Sequence, residues 1–313
     1  MNIDELLMGL KTKFNYSEDL LSFLKEIVPI MINYYGEDKK DIIFETLNTC
    51  EIHIQGEEEN REEYISNYFN SSKVPKADPY SDAKYIYKIN KDNNKPVVKG
   101  IIYVPTKKFG EYRPFDFNDN YIKSIIIHEL SHAIKSQNRL KEIAPGMYEK
   151  SVGMMRTMYI TNNDLDHYIP IATINEALEE SVNSYDEDQI MSILLNREFR
   201  SNSYSNFKRI IEELFKDEKA KMLINDAKFT GSEDWINYLG EENAKMIINN
   251  LEASLNLEKT PSKNDEDEER MKNEYIKLVM EVYNFIKDRN QGLDSEGRGS
   301  RWMETIYQNS YHI

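Results

Sequence analysis

A chain of 313 residues with 40% hydrophobic and 11% aromatic side chains is long enough to bury a sizeable core and too apolar to be read as disordered. Its 55 acidic against 40 basic residues give a formal charge of −15, which repels phosphate backbones and anionic headgroups, so no nucleic acid is expected as the main partner. The one cysteine, Cys50, excludes an intrachain disulfide and a Cys-based zinc cluster, leaving histidines and carboxylates for any metal.

The first residues carry Asp4 and Glu5 and lack the basic and apolar regions of a secretory signal, and no apolar run reaches the roughly 18 residues of a membrane span. The expectation is a cytoplasmic protein without a membrane span; export without a signal, or delivery as a toxin, fits the same sequence. Residues 17–35 place Leu20, Leu24, Ile27 and Met31 at helical spacing, with Gly36 as the stop. A second helical stretch, 39–47, leads into an alternating strand at 50–54. The charged run 57–63 and the Ser-, Pro- and Asp-containing stretch 71–82 read as surface. Residues 84–89 and 100–104, on either side of the turn-like 92–96, predict an antiparallel hairpin.

Residues 118–138 hold the most apolar helix of the chain, with Ile122, Ile125, Ile126, Ile127, Leu130, Ala133 and Ile134 on nearly every side. Such a helix belongs inside. Residues 152–160 and 168–172 read as a second strand pair and 173–185 as the helix that follows. Further helices are expected at 188–195, 206–215, 234–239 and 241–255. A charged linker, 259–269, and an amphipathic helix, 275–286, precede a polar tail.

Within the apolar helix stands His128-Glu129-Leu130-Ser131-His132. Two histidines four residues apart project from one helix face and reach a single divalent ion, while Glu129 between them can take a proton from a metal-activated water. Two imidazoles and a carboxylate set among isoleucines would cost several kcal/mol without partners, roughly what a metal removes. Zn2+ is the expected ion, because two neutral imidazoles, one carboxylate and an open position form its usual catalytic shell. Lys135 and Asn138 stand where the metzincin continuation requires Gly and His, which excludes that class. The third ligand is then one of His53, His167 and His312, or a carboxylate on a later helix.

Downstream lies Asn175-Glu176-Ala177-Leu178-Glu179-Glu180. With the histidine motif, this makes residues 98–185 resemble gluzincin metallopeptidases, and the long gap with its strand pair is similar to that of anthrax lethal factor-like peptidases. The resemblance implies Glu176 as third metal ligand and Glu180 as the acid that orients a ligating histidine. It also implies a tyrosine shortly before the third ligand, here Tyr168, as donor to the oxyanion. His167 is the alternative for the ligand and for the donor, and a structural role is the other reading of Tyr168. Thr173 and Glu176 also have the spacing of a capping box, in which Glu176 would cap a helix instead.

The fold implied is α+β and zincin-like: a small N-terminal mixed sheet with the active-site helix over 1–187, a helical C-terminal lobe over 188–258, and a linker, helix and tail over 259–313. The function implied is a zinc-dependent peptidase, of endopeptidase kind, acting on a peptide or protein. A metal-binding scaffold without catalysis is the alternative. Substrates of such enzymes lie as an added strand on the edge of the N-terminal sheet, for which 100–104 is the candidate edge, with an interior strand as the other reading. The acidic composition favours basic or neutral substrates.

Overall fold

The computed structural model describes residues 2–70, 83–92, 95–108, 111–112, 116–136, 139–161 and 168–290. Helices begin where the sequence supplies caps. α1 (Ile3–Phe14) opens on a capping box between Asn2 and Glu5 and closes on Asn15 in the left-handed region. α2 (Glu18–Tyr35) is capped by Ser17 and ends at Gly36, whose φ of +111° suits glycine. A short 3-10 turn leads to α3 (Lys40–Thr49) and then to β1 (Glu51–Ile54). The charged run expected as surface ends in a helix, α4 (Arg61–Phe69), started by the Asn60 side chain.

β2 (Lys84–Asp92) and β3 (Lys95–Val104) form the expected antiparallel hairpin, with Lys84 opposite Tyr103 and Lys88 opposite Lys99. β1 joins β3 in parallel, giving the order β1-β3-β2. Residues 100–104 are therefore the centre of the sheet and not its edge, which corrects the sequence expectation. The reason is burial on both faces: Ile101, Ile102, Tyr103 and Val104 are each at most 1% exposed, and such a strand needs a neighbour on either side. One face packs on α4 through Ile65, Phe69, Ile86, Ile101 and Tyr103. The two-residue strands β4 (Lys107–Lys108) and β5 (Glu111–Tyr112) pair with each other.

The histidine-bearing helix is α5 (Asn120–Ser136), which packs on β2 and β3. A second sheet has the order β6 (Leu140–Ala144), β7 (Met147–Val152), β8 (Met155–Thr161), β9 (Tyr168–Ile174). Its last two strands are the expected pair. α6 (Glu176–Leu195) is one uninterrupted helix of 20 residues where two were expected, because nothing between 185 and 188 breaks a helix. There follow α7 (Ser205–Leu214), α8 (Glu218–Thr230), α9 (Asp234–Leu239), α10 (Glu241–Lys259) and α11 (Asp265–Arg289). α11 starts inside the expected linker, since Asn264 caps it and four acids in its first turn favour the positive end of the helix dipole.

The fold is thus α+β, and its contacts divide into two compact units. The first comprises 1–152, 157–172 and 186–201; the second comprises 153–156, 173–185 and 202–313. The core of the second unit joins Leu178 and Val182 to Phe207, Ile210, Trp235, Ile247, Tyr275 and Val279. Within it Gly153, at φ +56°, lets the chain pass against Glu179, whose carboxylate accepts the Met154 N–H at 2.7 Å. A Cβ at Gly153 would meet that carboxylate at 1.9 Å.

Candidate metal centre

α5 is held in place by the residues between its polar ones. Ile126, Ile127, Leu130, Ala133 and Ile134 are at most 1% exposed, and burying each isoleucine or leucine contributes about 1.5–3 kcal/mol. His128 and His132, 8% and 6% exposed, share one face of this helix with ring centroids 4.9 Å apart and planes at 79°. Glu180, on α6, completes a group in which one ligand atom from each of the three residues lies within 4.8 Å of the others.

That donor set fits a divalent ion. A tetrahedral ion with bonds of about 2.0–2.1 Å brings its ligand atoms to roughly 3.4 Å, so side-chain rotation of about an ångström closes the group. The orientation of His128 is fixed from behind: its Nδ1 lies 3.0 Å from Glu187 Oε2, a carboxylate 2% exposed, which leaves Nε2 for a metal. The preceding residue on α6, Asp186, is fully buried and accepts the Tyr34 hydroxyl at 2.8 Å. Its other oxygen lies 3.9 Å from the buried ammonium of Lys135, the residue where a metzincin has glycine.

Glu129, half-buried, points its Oε2 at the backbone N–H of Tyr85 on β2, which donates to it. The Tyr85 ring lies over Gly100, where a Cβ would come within 2.7 Å of it, and its hydroxyl is 2.9 Å from Ser136 Oγ. Lys150 of β7 donates to the same Oγ at 2.7 Å, and to the Ser136 carbonyl at the end of α5. Glu129 is therefore presented at the outer side of β2 by a strand clamped to α5 at both ends of one tyrosine.

The other residues singled out in the sequence go elsewhere. Glu176 forms an ion pair with Lys259 at 2.9 Å, with its side chain 39% exposed, and the structure brings Glu180 rather than Glu176 to the histidines. α6 begins at Glu176, directly after Asn175, whose φ is +61°. Tyr168 opens β9 with its ring edge-on to Tyr148 at 5.2 Å. His53 lies on β1 between Glu51 and Glu59. His167 and His312 lie outside the described residues. Glu187 was missed by the sequence reading; its signal was a position seven residues after Glu180, two turns along the same helix face.

No protein-family model matches the chain, and neither a curated protein nor a solved structure matches it.

Proposed function

We propose that the chain is a zinc-dependent peptidase of gluzincin type on a zincin-like fold, with His128, His132 and Glu180 as ligands, Glu187 orienting His128, and Glu129 as general base. The observation that carries this reading is the group of two imidazoles and one carboxylate, with Glu129 held in the turn of helix between the histidines. An ion held there supplies Lewis acidity, lowering the pKa of the attacking water and polarising the scissile carbonyl.

Glu129 accepts the proton of that water and passes it to the leaving amine. Its bond from the Tyr85 N–H sets the carboxylate at the rim of β2, where a substrate strand would lie. The outward main-chain groups of β2 recur every second residue, so Tyr87 and Ile89 continue the edge that Tyr85 begins. An extended substrate adding to this edge is delivered to Glu129 and the ligand group together.

A non-catalytic metal scaffold is the second reading, and the Tyr85 bond favours it, because it gives Glu129 a structural task as well. Glu129→Gln separates the two. Gln keeps an acceptor for the Tyr85 N–H and removes the base. The peptidase reading expects about one zinc per chain in wild type and variant alike, with hydrolysis of a mixed peptide library lost by a factor of roughly a hundred or more in the variant. Equal hydrolysis by both proteins, or full zinc retention in His128→Ala, overturns it.

A further inference from the structure

The net charge of −15 is distributed unevenly along the chain. Residues 84–108, which build β2, β3 and β4, hold seven lysines against a single acid, Asp92. Lys84 and Lys99 are exposed and Lys88 is half-buried. Among the described residues no carboxylate pairs with any of these three; Lys99 instead donates to the Tyr68 carbonyl and lies 3.8 Å from the Tyr68 ring centre. Lys88 and Lys99 stand directly opposite each other in the register of β2 and β3, an arrangement of like charges that works against the sheet. A hairpin that carries this cost within an acidic chain has the makings of a recognition element.

Its geometry matches one kind of partner. β3 is central, so among the described residues β2 is the strand of this pair with a free side, and the Tyr85 N–H directed at Glu129 identifies that side as the one facing the candidate site. Side chains alternate along a strand, so Lys84, Ile86 and Lys88 share the face on which Ile86 is buried against α4, opposite to the face of Tyr85. A strand laid along β2 would put every second side chain on that face, meeting Lys84, Ile86 and Lys88 in turn.

We propose that the free edge of β2 recognises an acidic extended peptide, with carboxylates at positions i and i+4 against Lys84 and Lys88 and an apolar residue at i+2 beside Ile86. The proposal rests on the peptidase reading for its consequence, that acidic segments are the substrates cleaved. It reverses locally the preference that overall composition suggests. Nucleic acid is the disfavoured occupant, since the strand edge offers main-chain groups that match a peptide and the remainder of the chain is strongly acidic.

The test uses full-length, zinc-loaded protein and two labelled decapeptides that differ only in carrying Glu or Lys at i and i+4. Binding is measured by fluorescence anisotropy on Glu129→Gln and cleavage on the otherwise unaltered enzyme. The Glu peptide is expected to bind roughly tenfold more tightly at low salt, with the difference shrinking as salt rises. In a background carrying Lys84→Glu and Lys88→Glu the preference inverts while zinc content is unchanged, and Lys84→Gln with Lys88→Gln abolishes it if the charge reversal does not fold. Equal affinity for both peptides, a preference untouched by these changes, or tighter binding of a DNA duplex that the same changes remove overturns the proposal. Charge-selective binding without hydrolysis sinks the peptidase reading and leaves the edge assignment standing, whereas hydrolysis without charge selectivity does the reverse.

Discussion

One turn of α6, about 5.4 Å of rise, separates Glu176 from Glu180, and both point to the same side of the helix. The residue types and their spacing were legible in the sequence. Which turn meets the histidines was not, because that depends on how far α6 is slid along its neighbours, a matter of packing. Isothermal titration with zinc should show Glu180→Gln weakening the metal strongly and Glu176→Gln leaving it near wild type; the opposite pattern sinks the ligand set given above. Glu187→Gln should weaken zinc by about 10–100-fold without abolishing it, since Gln still accepts the His128 N–H but polarises it less. Gly153→Ala belongs to the same scale. With φ positive and a carboxylate where the methyl would sit, the variant should lose on the order of 2–4 kcal/mol in urea unfolding, and wild-type stability would show that the Glu179 contact relaxes freely.

At the scale of elements, those with strong periodicity were read correctly. α2, α3, the β2/β3 hairpin and α5 each follow from apolar spacing and a nearby stop. α1 and α8 went unread because their charged residues dilute the pattern, and β6 and β7 because the chain there alternates weakly, β6 being almost wholly exposed. The order of the first sheet lay beyond a linear reading, since each β1 residue pairs with a β3 residue 50 positions along the chain, although the unbroken apolar run of β3 was itself a sign of a central strand. β1 also carries a testable titration. Burial pulls the His53 pKa down, but hydrogen bonds and charge from Glu51 and Glu59 outweigh it and hold the pKa above its ordinary 6.5. Tyr64 and Tyr103 donate to the same two carboxylates, and the Tyr64 ring stacks on the imidazole at 3.7 Å. A folded pKa above the unfolded one means that the stabilisation is complete below pH 6.5 and lost as pH rises through the raised value. Urea midpoints should fall over that interval in wild type, and His53→Gln should flatten the fall; an unchanged slope removes His53 as its cause.

For the whole molecule, the boundary expected at 187/188 falls inside α6, and the two compact units each draw on separate stretches of chain. No division of the sequence into consecutive blocks could have found them. The charge balance likewise read only as a sum, and the basic hairpin became visible once β2 had a free side. Zinc removal is the prediction at this scale: ligand binding to the folded state adds about 2.7 kcal/mol at a hundredfold excess over Kd, so a chelator should lower the melting temperature of wild type. It should leave that of a His128→Ala, His132→Ala double variant unmoved, and an equal shift in both would place the chelator's effect elsewhere. α6 adds a constraint of a different sort. Glu180 and Glu187 keep their alignment only by the count of residues between them, and inserting a single residue there turns one away from the other by about 100°. Loops tolerate lengthening, whereas this stretch behaves like a reading frame: substitutions along its outer side are absorbed, and one inserted residue parts the carboxylate that would hold the metal from the one that aims the histidine.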